Sequence, residues 1–221
     1  MIAECKEIIS DLNKLGEWCT EIDPKKEGKL CQEIILALKT TMRENKLDYL
    51  TAPQIGYDRR LFCIKFGKND YRTFINPMIT NNIGFNLARE TCNSIPDKVF
   101  IRPRFNKLNI VYTTPLDKVE CVSLVGRAAQ VFEHCVDHLN GILVSDIGLE
   151  IDEDFDNATE EERAEIIKMY IDALDVRQKD LEEQIKEDED LNTLDQSIKF
   201  IESVQKGETK IEHVPQGENN G

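Results

Sequence analysis

Tryptophan occurs once and histidine three times in this chain of 221 residues. Long apolar runs are missing. Nowhere do about 18 apolar residues stand together, which excludes an ordinary membrane-spanning helix. The opening residues, MIAECKEIISDLNKLG, hold no apolar stretch of the kind a secretory signal needs. Cysteine is better supplied, at seven. The number is odd, and the residues are scattered without the spacing of a disulfide scaffold. Reduced thiols in a cytoplasmic protein are expected. Cys5, Cys19, Cys31, Cys63 and Cys121 read as structural thiols.

Positive charge is scarce in one part only. Residues 151–221 contain 22 acidic and 8 basic residues, which is the whole net charge of −14. Residues 1–150 contain 20 of each sign and are neutral. The step divides a globular body, 1–150, from an acidic extension. Nucleic-acid binding through the extension is opposed, because phosphate contacts need clustered Lys and Arg.

Periodicity places the elements. Leu30, Ile34, Leu38 and Met42 recur every four residues, predicting an amphipathic helix over 30–44. Ala-Pro-Gln-Ile-Gly at 52–56 predicts a loop. Short β-prone runs follow at 61–66, 71–76, 100–105, 108–114 and 119–124. A second helix is expected over 123–139. The class is α+β. In the extension, Thr159 with Glu162 forms a capping box. Ile167, Ile171, Leu174, Leu181 and Ile185 make one helical stripe, and Leu191, Leu194, Ile198, Ile201 and Val204 a second. A helical hairpin over 151–206 is expected, with a disordered tail over 207–221. The hairpin packs on its own body, docks a basic protein partner or forms a dimerising arm.

Two of the three histidines, His134 and His138, lie in E-H-C-V-D-H-L-N-G on the second helix. Spacing i, i+4 puts both imidazoles on one side, as a helix presents two nitrogens to one metal ion. With His134 at zero and about 100° per residue, His138 falls at about 40° and Cys135 at about 100°. Val125, Ala128, Phe132 and Leu139 fall at about 120–180° on the same wheel, the buried side. Glu133 and Asp137 fall at about 260–300°, the side expected to face solvent. Two unrelated histidines remain the plain alternative at this point.

Three ordered segments break that tie. A-P-Q-I-G at 52–56, E-T-C-N-S at 90–94 and H-C-V-D-H-L-N-G at 134–141 resemble the three signatures of the peptide deformylases: G-x-G-x-A-A-P-Q-x-G, E-G-C-L-S and Q-H-E-x-D-H-L-x-G. The resemblance covers roughly residues 30–148. It implies a mixed sheet around a central metal-binding helix. It implies Cys92, His134 and His138 as ligands of one divalent transition metal, iron in the cell, with zinc, nickel or cobalt as replacements. It further implies Gln54 and the backbone N–H of Asn93 as oxyanion donors, and Glu90 and Arg102 as groups bracing the metal loop and the bound peptide. The implied reaction is metal-assisted hydrolysis of the N-formyl group of N-formylmethionyl peptides or nascent chains. Some relatives reach ribosomal RNA through a basic C-terminal helix, and the −14 extension opposes that contact.

The departures carry equal weight. The family's acid–base Glu is replaced by Cys135. Its loop glycines are replaced by Leu47 and Tyr49, an alanine by Thr51, and the Gly and Leu of the second motif by Thr91 and Asn93. General acid–base help is worth about 10²–10⁴-fold, so slow turnover is the leading expectation. The alternatives are a pseudoenzyme that binds metal and a peptide or protein partner, and a closed site with Cys135 as a fourth ligand.

Overall fold

The computed structural model describes residues 4–187 and 211–213, with side chains to residue 174. A short helix α1 (Leu12–Leu15) precedes α2 (Gly28–Glu44). The stripe Ile34, Leu38 and Met42 is buried along α2, as the four-residue spacing requires. The strands are β1 (Tyr49–Thr51), β2 (Leu61–Lys65), β3 (Tyr71–Cys92), β4 (Ile95–Thr113) and β5 (Val119–Val125). Then come α3 (Arg127–Leu139), α4 (Val144–Ile147), β6 (Leu149–Ile151), α5 (Glu153–Asn157), α6 (Glu160–Glu187) and β7 (Ile211–His213). The Pro53–Ile55 segment is a single tight 3₁₀ turn ending on Gly56.

The sheet runs β1-β2-β3-β4-β5-β7, with β6 paired to β4. Neighbours are antiparallel except β5 and β7, which are parallel. The class is α+β, as expected. The lengths of the strands differ from expectation. Residues 71–92 form one strand, and the runs at 100–105 and 108–114 merge into a second. Asn81, Asn82 and Gly84 look like a break, yet Asn81 and Asn82 pair in register with Asn109 and Leu108. Cross-strand pairing over the whole hairpin overrides local propensity. Register shifts between Ile75 and Met78 absorb Pro77. The second helix begins at Arg127 rather than 123, because residues 123–125 are held in β5 opposite Asn109, Leu108 and Lys107.

One core lies between the sheet and α3. Phe132 meets Phe62 and Phe74 edge-on, with ring centroids 5.2 and 5.3 Å away. A second core lies between α2 and β1–β2, around Ile34, Leu38, Leu50 and Leu61. The described cysteines form no disulfide. No helix among the described residues is long and apolar enough to cross a membrane.

The capping box at Thr159 is formed in both directions: Glu162 N–H donates to Thr159 Oγ1, and Thr159 N–H donates to Glu162 Oε2. Ile167, Tyr170, Ile171 and Leu174 are half-buried along one side of α6. Tyr170 Oη donates to the Ile147 carbonyl at 2.7 Å, and Arg89 pairs with Asp156 of α5 at 2.8 Å. These contacts favour packing of the extension on its own body. The second stripe, 191–204, lies outside the described residues, as does most of 207–221. Within that tail, Ile211–His213 pairs with Cys121–Ser123 of β5 rather than standing free.

The end of α3 is set by local geometry. Ile142 N–H donates to the Asp137 carbonyl and Gly141 N–H to the His138 carbonyl, a Schellman closure with Gly141 left-handed at φ 67°. A Cβ on Gly141 would fall 2.4 Å from the Gly16 carbonyl oxygen. Gly141→Ala is therefore expected to destabilise the protein by about 1–3 kcal/mol, from strain and from lost docking on the N-terminal segment. Urea denaturation of the variant measures it.

Candidate metal centre

Strand β3 and helix α3 meet at Cys92. Alternation along β3 sends Ala88, Glu90 and Cys92 to the inner face and leaves Arg89 and Thr91 outside. The two-residue turn Asn93–Ser94 follows at once, and the register shifts between Glu90 and Cys92. Such irregularities re-aim a side chain. Here the thiol is aimed at α3. His134 and His138 stand one turn apart on that helix, with ring centroids 5.0 Å apart.

The ligand atoms of Cys92, His134 and His138 all lie within 4.8 Å of one another, and all three residues are buried. Cys92 Sγ is 3.3 Å from His138 Nε2. His134 Nε2 is buried without a hydrogen-bond partner, and so is His138 Nδ1. An unpaired buried imidazole nitrogen is costly unless something else fills the position. One soft thiolate and two imidazoles form a donor set suited to a divalent transition metal with a position left open. The residues therefore fit the metal that the motifs imply.

His134 is held from behind. Its Nδ1 is 3.0 Å from Glu90 Oε2, the carboxylate–histidine arrangement that orients a metal-binding ring. Glu90 is fixed in turn by Arg104, whose Nε and Nη2 donate to its two oxygens. Burial works against the Glu90 charge, but the bonds from Arg104 and His134 hold its carboxyl down at about 2.

Gln54 is fully buried. Its Oε1 accepts from the Thr51 N–H and from Thr51 Oγ1, both at 3.1 Å. That turns Nε2 toward Ser94 Oγ at 3.1 Å and Cys92 Sγ at 3.8 Å. A rigid amide N–H beside the ligand cluster is placed to donate to an oxygen bound there. Asn93 is half-buried in the adjacent turn.

Several placements correct the sequence reading. Glu133 and Asp137 are not solvent-facing; both are 9% exposed. They close a buried charge cluster on Arg104, which is 3.3 Å from Glu133 Oε1 and 2.6 Å from Asp137 Oδ2. Burial pushes Glu133 up against the pull of Arg104. Glu133 also accepts the Phe105 N–H at 3.1 Å, so it points away from the ligands. Arg102 pairs with Asp137. Arg104, the centre of the cluster, was missed. Arg104 is buried on β4, as Leu108 and Ile110 are, and no local pattern in the sequence marks it.

Cys135 is wholly buried in the aromatic core with Phe62, Phe74 and Phe132. Burial pushes its thiol well above the usual range, with Cys63 adding to the rise. It is not among the residues whose ligand atoms cluster within 4.8 Å, which counts against a fourth-ligand role. Tyr49 borders the same centre. Its hydroxyl donates to the Thr91 carbonyl at 2.8 Å, and its ring meets His134 edge-on at 5.3 Å.

A family model described as polypeptide deformylase matches residues 7–151. A peptide deformylase of Symbiobacterium thermophilum is 32% identical over 122 residues, which is 54% of this chain and 56% of that protein. One from Karelsulcia muelleri is 35% identical over 137 residues, covering 60% of this chain and 71% of that protein. A crystal structure of peptide deformylase from Thermotoga maritima superposes with a TM-score of 0.59 at 28% identity, covering 65% of this chain and 97% of that one.

Replacing Arg104 with Met leaves Glu90 and Glu133 buried without their cation. A loss of about 3–5 kcal/mol is expected, read by chemical denaturation of the metal-free protein.

Proposed function

The chain belongs to the polypeptide deformylase family, and from that premise we propose that it is a metal-dependent amide hydrolase removing the N-formyl group from N-formylmethionyl peptides. The observation that carries the proposal is the cluster of Cys92, His134 and His138 within 4.8 Å, with the Gln54 amide against it. A divalent metal held by these three, iron in the cell or zinc, nickel or cobalt in its place, supplies Lewis-acid polarisation and acidifies a water molecule.

The rest of the work falls to the protein. Gln54 Nε2 and the Asn93 backbone N–H stabilise the formyl oxygen as negative charge grows on it. Glu90 keeps His134 in the tautomer and orientation for binding, and Arg104 keeps Glu90 ionised. Water attacks the formyl carbon, the C–N bond breaks, and formate and a free amine leave. The amine needs a proton as it departs. The family supplies it from a carboxylate next to the first histidine. Cys135 has no carboxylate and its thiol is fully buried, so proton delivery falls to solvent and turnover is slow.

Two tests follow. Nickel- or cobalt-loaded protein is expected to release formate from formyl-Met-Ala-Ser at a low rate, with about one metal per chain by mass spectrometry. Chelation or Cys92→Ser is expected to remove both metal and turnover. Restoring a carboxylate with Cys135→Glu is expected to raise kcat/KM by about 10²-fold. The same change lowers the melting temperature, because it puts an acid in a fully buried position. Full metal occupancy with no formate from either protein would leave the fold as a metal-binding peptide receptor instead.

A further inference from the structure

A shallow pocket opens beside the metal centre along α3. Arg127, Gln130, Val131 and His134 line one side, and Tyr49 and Glu90 face them. The four α3 residues stand at i, i+3, i+4 and i+7, a single stripe over two turns. At 1.5 Å rise per residue, the Cα of Arg127 lies about 10 Å along the helix axis from that of His134. An extended peptide advances about 3.3 Å per residue. A substrate with its formyl amide at the ligand cluster and its chain along this stripe brings its second or third residue to Arg127.

The chemistry changes along the stripe. His134 and Val131 are buried, Gln130 is half-buried, and Arg127 is exposed. Together with the Tyr49 ring they offer an apolar inner end and a polar rim. Gln130 is held by its own bond to Asn86, where Nε2 donates at 3.2 Å. Arg127 makes no hydrogen bond or ion pair among the described residues, and the first turn of α3 contains no acidic residue. Glu90, the acid in the pocket, has its oxygens engaged by Arg104 and His134. Among the described residues the guanidinium at the rim of the pocket is therefore an uncompensated cation.

We infer that Arg127 is a specificity residue of this site, selecting formyl-methionyl peptides with an acidic side chain at the second or third residue. The inference rests on the deformylase reading and deepens it. The inner end takes the methionine, and a bidentate guanidinium–carboxylate pair forms at the rim.

The test separates the two. Binding of the C-terminally amidated peptides Met-Ala-Ser, Met-Glu-Ser and Met-Ala-Glu to the zinc-loaded full chain is measured by calorimetry, and formate release is followed on their formylated forms. At least one acidic peptide is expected to bind about fivefold tighter than Met-Ala-Ser at low salt. The advantage shrinks at high salt, disappears in Arg127→Leu and is partly kept in Arg127→Lys. Acidic peptides that bind no tighter, or an advantage that survives Arg127→Leu, overturn the inference. Formate release from formyl-Met-Ala-Ser then shows that the deformylase reading still stands. Absence of formate from every peptide, in the wild type and in Cys135→Glu, removes both.

Discussion

Arg104 is the charge on which the centre is built. Its guanidinium is fully buried and bonds Glu90 from β3 and Asp137 from α3, with Glu133 of α3 close by. A buried cation is costly unless every donor finds an acceptor. Here each partner belongs to an element that also carries a metal-ligand candidate. Glu90 is two residues before Cys92, Glu133 is next to His134, and Asp137 is next to His138. Satisfying Arg104 therefore fixes how far α3 is rotated and how close it stands to the end of β3. The three ligand atoms meet as a consequence.

The departures from the family pattern form a coherent set at this centre. Tyr49 ties β1 to the Thr91 carbonyl and packs its ring on His134. Thr51 stands where the family has alanine, and its hydroxyl and N–H together hold the Gln54 carbonyl. The Gln54 amide is aimed at Cys92. Cys135 differs in kind. Its side chain is fully buried and joins the aromatic core.

Much of the site was legible in advance because its residues are few and their spacing is rigid. Two of three histidines at i, i+4 share a helix side whatever the tertiary structure. Cys92 and Gln54 were legible only through motif resemblance, since no periodicity connects them to α3. The polar wheel positions of Glu133 and Asp137 misled, because a helical wheel cannot show that an arginine from a distant strand lies against that side. The same limit hid Arg104, which stands in the β-prone run 100–105.

The sequence by itself determined the elements with local causes: the amphipathic stripe of α2, the Thr159–Glu162 cap, the glycine that ends α3 and the charge step near residue 150. Each depends on neighbours within a few positions. Only the tertiary structure decided what lay across strands and helices. It joined short β-prone runs into two long paired strands, buried an acidic helix side around Arg104, and set Gln54 against Cys92, 38 residues away. Burial and pairing of charges are decided by which surfaces meet, and that information exists only once the chain has closed on itself.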